Sequence, residues 1–205
     1  MNGIVYVRLN YDNAGHTSLL RISDGTEVRS DGHALNVGHN DDGDRYGSLQ
    51  ATNVTFTSLD EDGTWPGIVF HNNSRDGTHS LASYLDGCII ENATDGVYAV
   101  SSHPVLTNGT FRNNVDGIYA DDGAMPEITN NTFEGNTRPI SVYAARIDST
   151  IYGNTYVDNI KDYIEVQGDE FGNGTYVWAR DGGPYVLNGI VSVSYTHLTL
   201  PTILP

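Results

Sequence analysis

Along the middle of the chain, apolar side chains come in pairs one residue apart: Val97 with Ala99, Ile118 with Ala120, Ile140 with Val142 and Ile164 with Val166. Gly, Asn, Asp and Pro fill the intervals between them. Alternation at period two predicts short strands joined by turns. No window carries the i, i+3, i+4, i+7 stripe of an amphipathic helix.

The pattern repeats. Asp95-Gly96-Val97-Tyr98-Ala99, followed by Pro104-Val105-Leu106-Thr107-Asn108-Gly109-Thr110-Phe111-Arg112-Asn113-Asn114, returns as Asp116-Gly117-Ile118-Tyr119-Ala120, followed by Pro126-Glu127-Ile128-Thr129-Asn130-Asn131-Thr132-Phe133-Glu134-Gly135-Asn136. The period is 21 to 23 residues, and looser copies lie on either side, at Leu85–Asn92 and Pro139–Asn159. Repeats of this length mean a solenoid, in which each unit buries its apolar face only against its neighbours. Leucine-rich repeats share the length, but Leu is sparse between residues 86 and 160. The remaining architecture is all-β: a parallel β-helix with three short sheets, one strand of each in every coil. At ~4.8 Å per strand, about seven or eight coils would make a rod of roughly 40 Å.

The register follows from the alternation. Ile68 and Phe70, with the four pairs above, should point inward from one sheet, leaving Val69, Tyr98, Tyr119, Ser141 and Glu165 outside. Leu106, Ile128 and Ile151 should line the second sheet, and Phe56, Ile90, Phe111, Phe133 and Tyr156 the third. Aromatic pairs in such a column add ~0.5–1.5 kcal/mol each beyond area burial. Asn108 and Asn130, and likewise Asn114, Asn136 and Asn159, fall at turns. Asparagine tolerates left-handed geometry there and can bond its side chain to backbone in the next coil.

Composition narrows the function. Ten basic against 26 acidic residues give a net charge of −16, which repels phosphate backbones and anionic lipid and argues against nucleic-acid or membrane-surface partners. No apolar run approaches the ~20 residues of a membrane-spanning helix. Cys88 is alone, so it reads as a small buried hydrophobe, and neither a disulfide nor a cysteine-based zinc site is expected. From Val193 the chain reads Val-Ser-Tyr-Thr-His-Leu, which resembles the translation of a transposon-end sequencing adapter. Residues 193–205 are therefore expected to be a non-native tail, 1–170 the repeats, and 171–192 the start of a following unit or a cap. On that reading Met1 is an internal methionine, and the lack of a signal-peptide pattern at the start leaves an extracellular or cell-surface location as the expectation.

The repeats resemble those of the right-handed parallel β-helix, or pectin-lyase-like, superfamily, whose coils read Gly-Ile-x-x, then Pro-x-Ile-x-Asn-x-x-Phe-x-x-Asn. The resemblance covers about residues 17 to 170. It implies the fold, but the fold hosts lyases, hydrolases, epimerases and inert adhesins. In polysaccharide-cleaving members the substrate lies on the outer face of the first sheet. The predicted strip there offers one carboxylate, Glu165, and no Arg or Lys, so a lyase-like calcium cluster with a base has no counterpart. Asn114-Val115-Asp116-Gly117 and Asp121-Asp122 resemble polygalacturonase motifs, yet they stand too close together for that family's order. Arg146-Ile147-Asp148 has the wrong final charge, and His103 precedes Pro104 where a His-Gly would be expected. Asp116-Gly117 also repeats as Asp95-Gly96, as a turn would, so no catalytic residue is assigned.

Two binding readings stay open. Tyr98 and Tyr119, one coil apart and facing out, are the candidate residues for carbohydrate, with Trp65 and Trp178 as further aromatic surfaces and polysaccharide or cell-surface glycan as the partner. The acidic turns Asn40–Asp44, Asp60–Gly63, Asp121–Gly123 and Asp169–Glu170 suit Ca²⁺ in their oxygen content. None meets the full EF-hand spacing, so no metal site or cofactor is assigned and a solvated acidic surface is the alternative to Ca²⁺. Sequons such as Asn53-Val54-Thr55 and Asn108-Gly109-Thr110 arise largely from the repeat itself. The expected function is a non-catalytic spacer or adhesive module of a large extracellular protein, with a carbohydrate-binding module or a fragment of a polysaccharide lyase or glycoside hydrolase as the alternatives.

Overall fold

A computed structural model of the chain describes residues 5–7, 17–39, 46–60, 62–75, 81–147, 150–172, 174–178, 181 and 183–193. Among these, the strands form one sheet of eight and two of six, and their pairings are parallel. The chain visits the sheets in rotation, as in Asp95–Ala99, Val105–Thr107 and Thr110–Arg112, so each circuit as far as Ile164–Phe171 adds one strand to every sheet. A single 3-10 turn, Ala144–Arg146, is the only helix among the described residues. No described helix is long and apolar enough to cross a membrane.

The interior matches the alternation. Val97 is in register with Ile68 and Ile118, Ile118 with Ile140, and Ile140 with Ile164; all five are fully buried. Leu106, Ile128 and Ile151 line the second sheet. Phe111, Phe133 and Tyr156 stack in the third, with ring centroids 5.1 and 5.6 Å apart and planes within 15°. Coil length is less regular than the repeat. Leu35 pairs with Ile68 and Ile68 with Val97, longer steps than the one from Val97 to Ile118, because loops are inserted between the early strands. The eight-stranded sheet also runs past residue 170. Tyr185–Val193 is its last strand, paired with Ile164–Phe171, so Val193 belongs to a strand, and the rest of the expected tail lies outside the described residues.

Two asparagine ladders hold the turns. The Oδ1 of Asn136 accepts the backbone N–H of Asn114, and its Nδ2 donates to the Phe111 carbonyl. Asn159 does the same one coil on, to Asn136 and Phe133. In the second ladder Asn131 serves Gly109 and Leu106, and Asn154 serves Asn131 and Ile128. These side chains reach back to the preceding coil rather than forward. Each ladder ends in a carboxylate, Asp162 for Asn159 and Asp181 for Asn154. An aspartate needs no acceptor of its own, so it suits the last rung.

Left-handed backbone falls on other residues. Gly25, Asn53, Gly87, Asn108, Asn130 and Gly153 share one turn position, with φ between 50° and 75°. Glycine and asparagine are the residues that enter this region at least cost. The glycine of the Asp-Gly pairs answers a different constraint. A Cβ on Gly117 would lie 2.5 Å from the Pro139 carbonyl oxygen and 2.8 Å from the Phe133 ring. Asp95-Gly96 and Asp116-Gly117 therefore open strands, Asp95–Ala99 and Asp116–Ala120, and do not form turns as the repeat suggested.

Asn136→Ala is expected to lower stability by roughly 2–5 kcal/mol, because it strands the Asn114 N–H and the Phe111 carbonyl in the interior. Gly117→Ala should cost about 1–3 kcal/mol through overpacking. Urea denaturation midpoints of the two variants against the parent chain check both.

Candidate functional site

The outer face of the eight-stranded sheet gathers the polar chemistry of the chain. Asp95, Asp116 and Arg138 open three neighbouring strands and are partners in register. The space a Cβ would occupy on Gly96 and Gly117 lies against Ile90 and the Phe133 ring in the core, so alternation breaks before the inward Val97 and Ile118. The Asp116 carboxylate meets the Arg138 guanidinium instead of the core. The Arg138 guanidinium grips both oxygens of Asp116 and reaches Glu165 at 3.2 Å. Glu165 also meets Lys161 at 3.4 Å and accepts from Asn188 at 2.8 Å. Asp116 and Glu165 are 4% and 3% exposed.

The predicted strip therefore needs correcting. It lacked a cation on the sequence reading, whereas stacking brings Arg138 and Lys161 into it. Ser141 and Glu165 face outward as expected but are buried, Ser141 beneath the amide of Gln167 that donates to its hydroxyl. Two aspartates one coil apart repel each other. Burial, the charge of Asp116 and a hydrogen bond to it push the Asp95 carboxyl up to about 6, with the charge of Arg138 opposing the shift.

Beside this row stand Tyr98 and Tyr119, register partners with ring centroids 5.1 Å apart and planes tilted by 47°. Both remain partly exposed. Tyr143, which the sequence reading passed over, stands close enough to act electrostatically on both phenols. It follows directly on Val142 in the aligned repeats and was legible there. Burial holds both phenols above the usual tyrosine range. The carboxylates of Asp121 and Asp95 add to this at Tyr98, and those of Asp121 and Asp116 at Tyr119.

Of the other two aromatic surfaces, Trp65 differs from expectation. Trp65 is 2% exposed and donates its indole N–H to the Glu91 carbonyl, so it belongs to the core. Trp178 packs between Phe171 and Tyr185 and lines a cleft of about 480 Å³ with Tyr176 and Val193. Cys88 is buried, and burial raises its thiol pKa.

Two of the acidic turns are occupied by structural work. Asp121 accepts the N–H groups of Ser101 and Gly123, Asp122 pairs with Arg146, and Asp169 accepts from Ala145 and Glu170. Residues 40–45 and Glu61 lie outside the described residues. Among the described residues, no three His, Cys, Asp or Glu side chains converge as a metal site would require.

Parallel coils stacked in three sheets, with these repeats, carry one family signature. Residues 36–189 match the family described as right handed beta helix region. The chain belongs to the right-handed β-helix family. No curated protein and no solved structure matches it. Membership accounts for the coil geometry of this β-helix; the chemistry of its outer face rests on the residues themselves.

The raised Asp95 carboxyl has a definite sign in stability. Between about pH 4 and pH 6 the folded β-helix holds a proton that the unfolded chain has released. This group therefore favours the fold most at the acid end, and the contribution is lost as pH rises through about 6. Asp95→Asn should raise the melting temperature more at pH 7.5 than at pH 5. Thermal melts of both proteins at the two pH values check it, and an equal gap at both would contradict it.

Proposed function

We propose that the chain is a non-catalytic β-helix module that binds polysaccharide on the outer face of its eight-stranded sheet, as part of a larger protein outside the cell or at its surface. The observation that carries this reading is the tyrosine pair. Tyr98 and Tyr119 repeat once per coil at 5.1 Å, close to the length of one sugar residue in an extended chain, so successive rings can lie against successive sugars. Aromatic faces supply apolar area while their hydroxyls keep a polar edge. Fixed hydrogen-bonding groups continue the strip: the Asp95, Asp116 and Arg138 row beside the rings, and Gln167 and Asn188 on strands two and three places beyond that of Tyr119.

The same geometry speaks against hydrolysis at this place. Glycoside cleavage uses two carboxyls about 5–5.5 Å or 6.5–9.5 Å apart with the scissile bond between them. Asp95 and Asp116 are instead register partners on adjacent strands, and the second is held on both oxygens by Arg138. Asp116 and Glu165 are also committed to Arg138.

A glycan array with the parent chain should show binding, and the double variant Tyr98→Ala with Tyr119→Ala should lose it by tenfold or more while its coil fold persists by circular dichroism. Signal that survives the double substitution would overturn the tyrosine site. An array without any signal would leave the module as a rigid spacer.

A further inference from the structure

The charges around the tyrosine pair bear on which sugars it can accept. Four carboxylates belong to this face: Asp95, Asp116, Asp121 and Glu165. Two cations stand among them, Arg138 and Lys161. Recognition of a sugar carboxylate calls for a guanidinium or ammonium whose charge is not already balanced by the protein's own carboxylates. Here Arg138 spends Nε and Nη2 on Asp116 and Nη1 on Glu165. Lys161 spends its ammonium on Glu165 and sits 5.8 Å from the centroid of the Tyr163 ring. Arg138 and Lys161 keep N–H groups of their own, but both are already paired with carboxylates, so an incoming carboxylate meets four acids against two cations and adds to an uncompensated negative charge.

The potential at the rings points the same way. Asp121 and Asp95 act on the Tyr98 hydroxyl, and Asp121 and Asp116 on that of Tyr119, each resisting the addition of negative charge there. Neutral sugar hydroxyls meet no such penalty. They can donate to carboxylate oxygens and accept from the phenols and from the amides of Gln167 and Asn188. The net charge of −16 adds a longer-range repulsion of polyanions, screened within about 10 Å at ordinary salt.

Resting on the glycan-binding reading, we propose that the strip selects neutral hexopyranose chains and rejects uronates, with Asp95 and Asp116 as the specificity-determining pair. Selection operates through charge, because the tyrosine faces offer stacking to either kind of ring and the adjacent aspartates oppose only the charged one. Asp95 is the member of the pair to alter first. Asp116 anchors Arg138, whereas the carboxyl of Asp95 has Asp116 as its hydrogen-bond partner, which an asparagine can keep.

Isothermal titration at pH 7.5 with a neutral panel (cellohexaose, laminarihexaose, mannohexaose) and a uronate panel (hexagalacturonate, hexamannuronate) tests this. The parent chain should bind at least one neutral oligosaccharide, with every uronate about tenfold weaker or more. In Asp95→Asn the uronate-to-neutral affinity ratio should rise several-fold. For the parent chain the same ratio should rise as salt is taken from about 0.05 M to about 0.5 M, since screening weakens charge repulsion and leaves stacking in place; this arm stands even if the variant folds poorly. Uronates bound as tightly as neutral chains, or a ratio that moves with neither substitution nor salt, would overturn the selectivity while leaving glycan binding intact. Binding to neither panel would overturn both.

Discussion

Everything in this β-helix depends on the backbone groups of its turns finding partners one coil away. A solenoid of short strands has three corners per coil, and at each one polar amides pass close to an apolar interior where water does not reach them. Asn131 and Asn154 at one corner, and Asn114, Asn136 and Asn159 at another, supply the missing donor and acceptor from a single side chain. Their amide carries both functions in a fixed plane, which neither aspartate nor serine does. The ladders stop where an aspartate takes the last place, at Asp162 and Asp181.

Stacking in register sets like residue upon like, and the outcome depends on chemistry. For Phe111, Phe133 and Tyr156 the result is a column of near-parallel rings. For asparagine it is a chain of hydrogen bonds. For aspartate it is repulsion: Asp95 over Asp116 is the one column of the outer face that a perfect repeat would make progressively worse. The next coil places Arg138 at that position instead, and the guanidinium then links forward to Glu165. Beside the charged row, Tyr98 and Tyr119 stay partly exposed.

Much of this was legible before any coordinates. The inward and outward assignments of the first sheet, the members of the second and the aromatic column of the third all follow from alternation within an aligned repeat. Misreadings came from interactions that alternation does not encode. Asp-Gly looked like a turn because glycine usually signals backbone freedom, whereas Gly117 is required by the approach of Pro139 and Phe133. Trp65 was placed on the surface, but its indole finds a carbonyl in the core. The outer strip seemed free of cations because Arg138 stands two residues before the Ile140–Val142 pair that defined it.

The sequence by itself determined the coil: its period, its three short strands, and which side chains face inward, since these depend on local alternation and on turn residues a few positions apart. The tertiary structure alone decided which charges meet. Asp95, Asp116, Arg138 and Glu165 are each about one coil apart along the chain, and only the register between neighbouring coils brings them to hydrogen-bonding distance. A shift of a single residue in any turn would separate them, and no local pattern records that the turns have the lengths that prevent it.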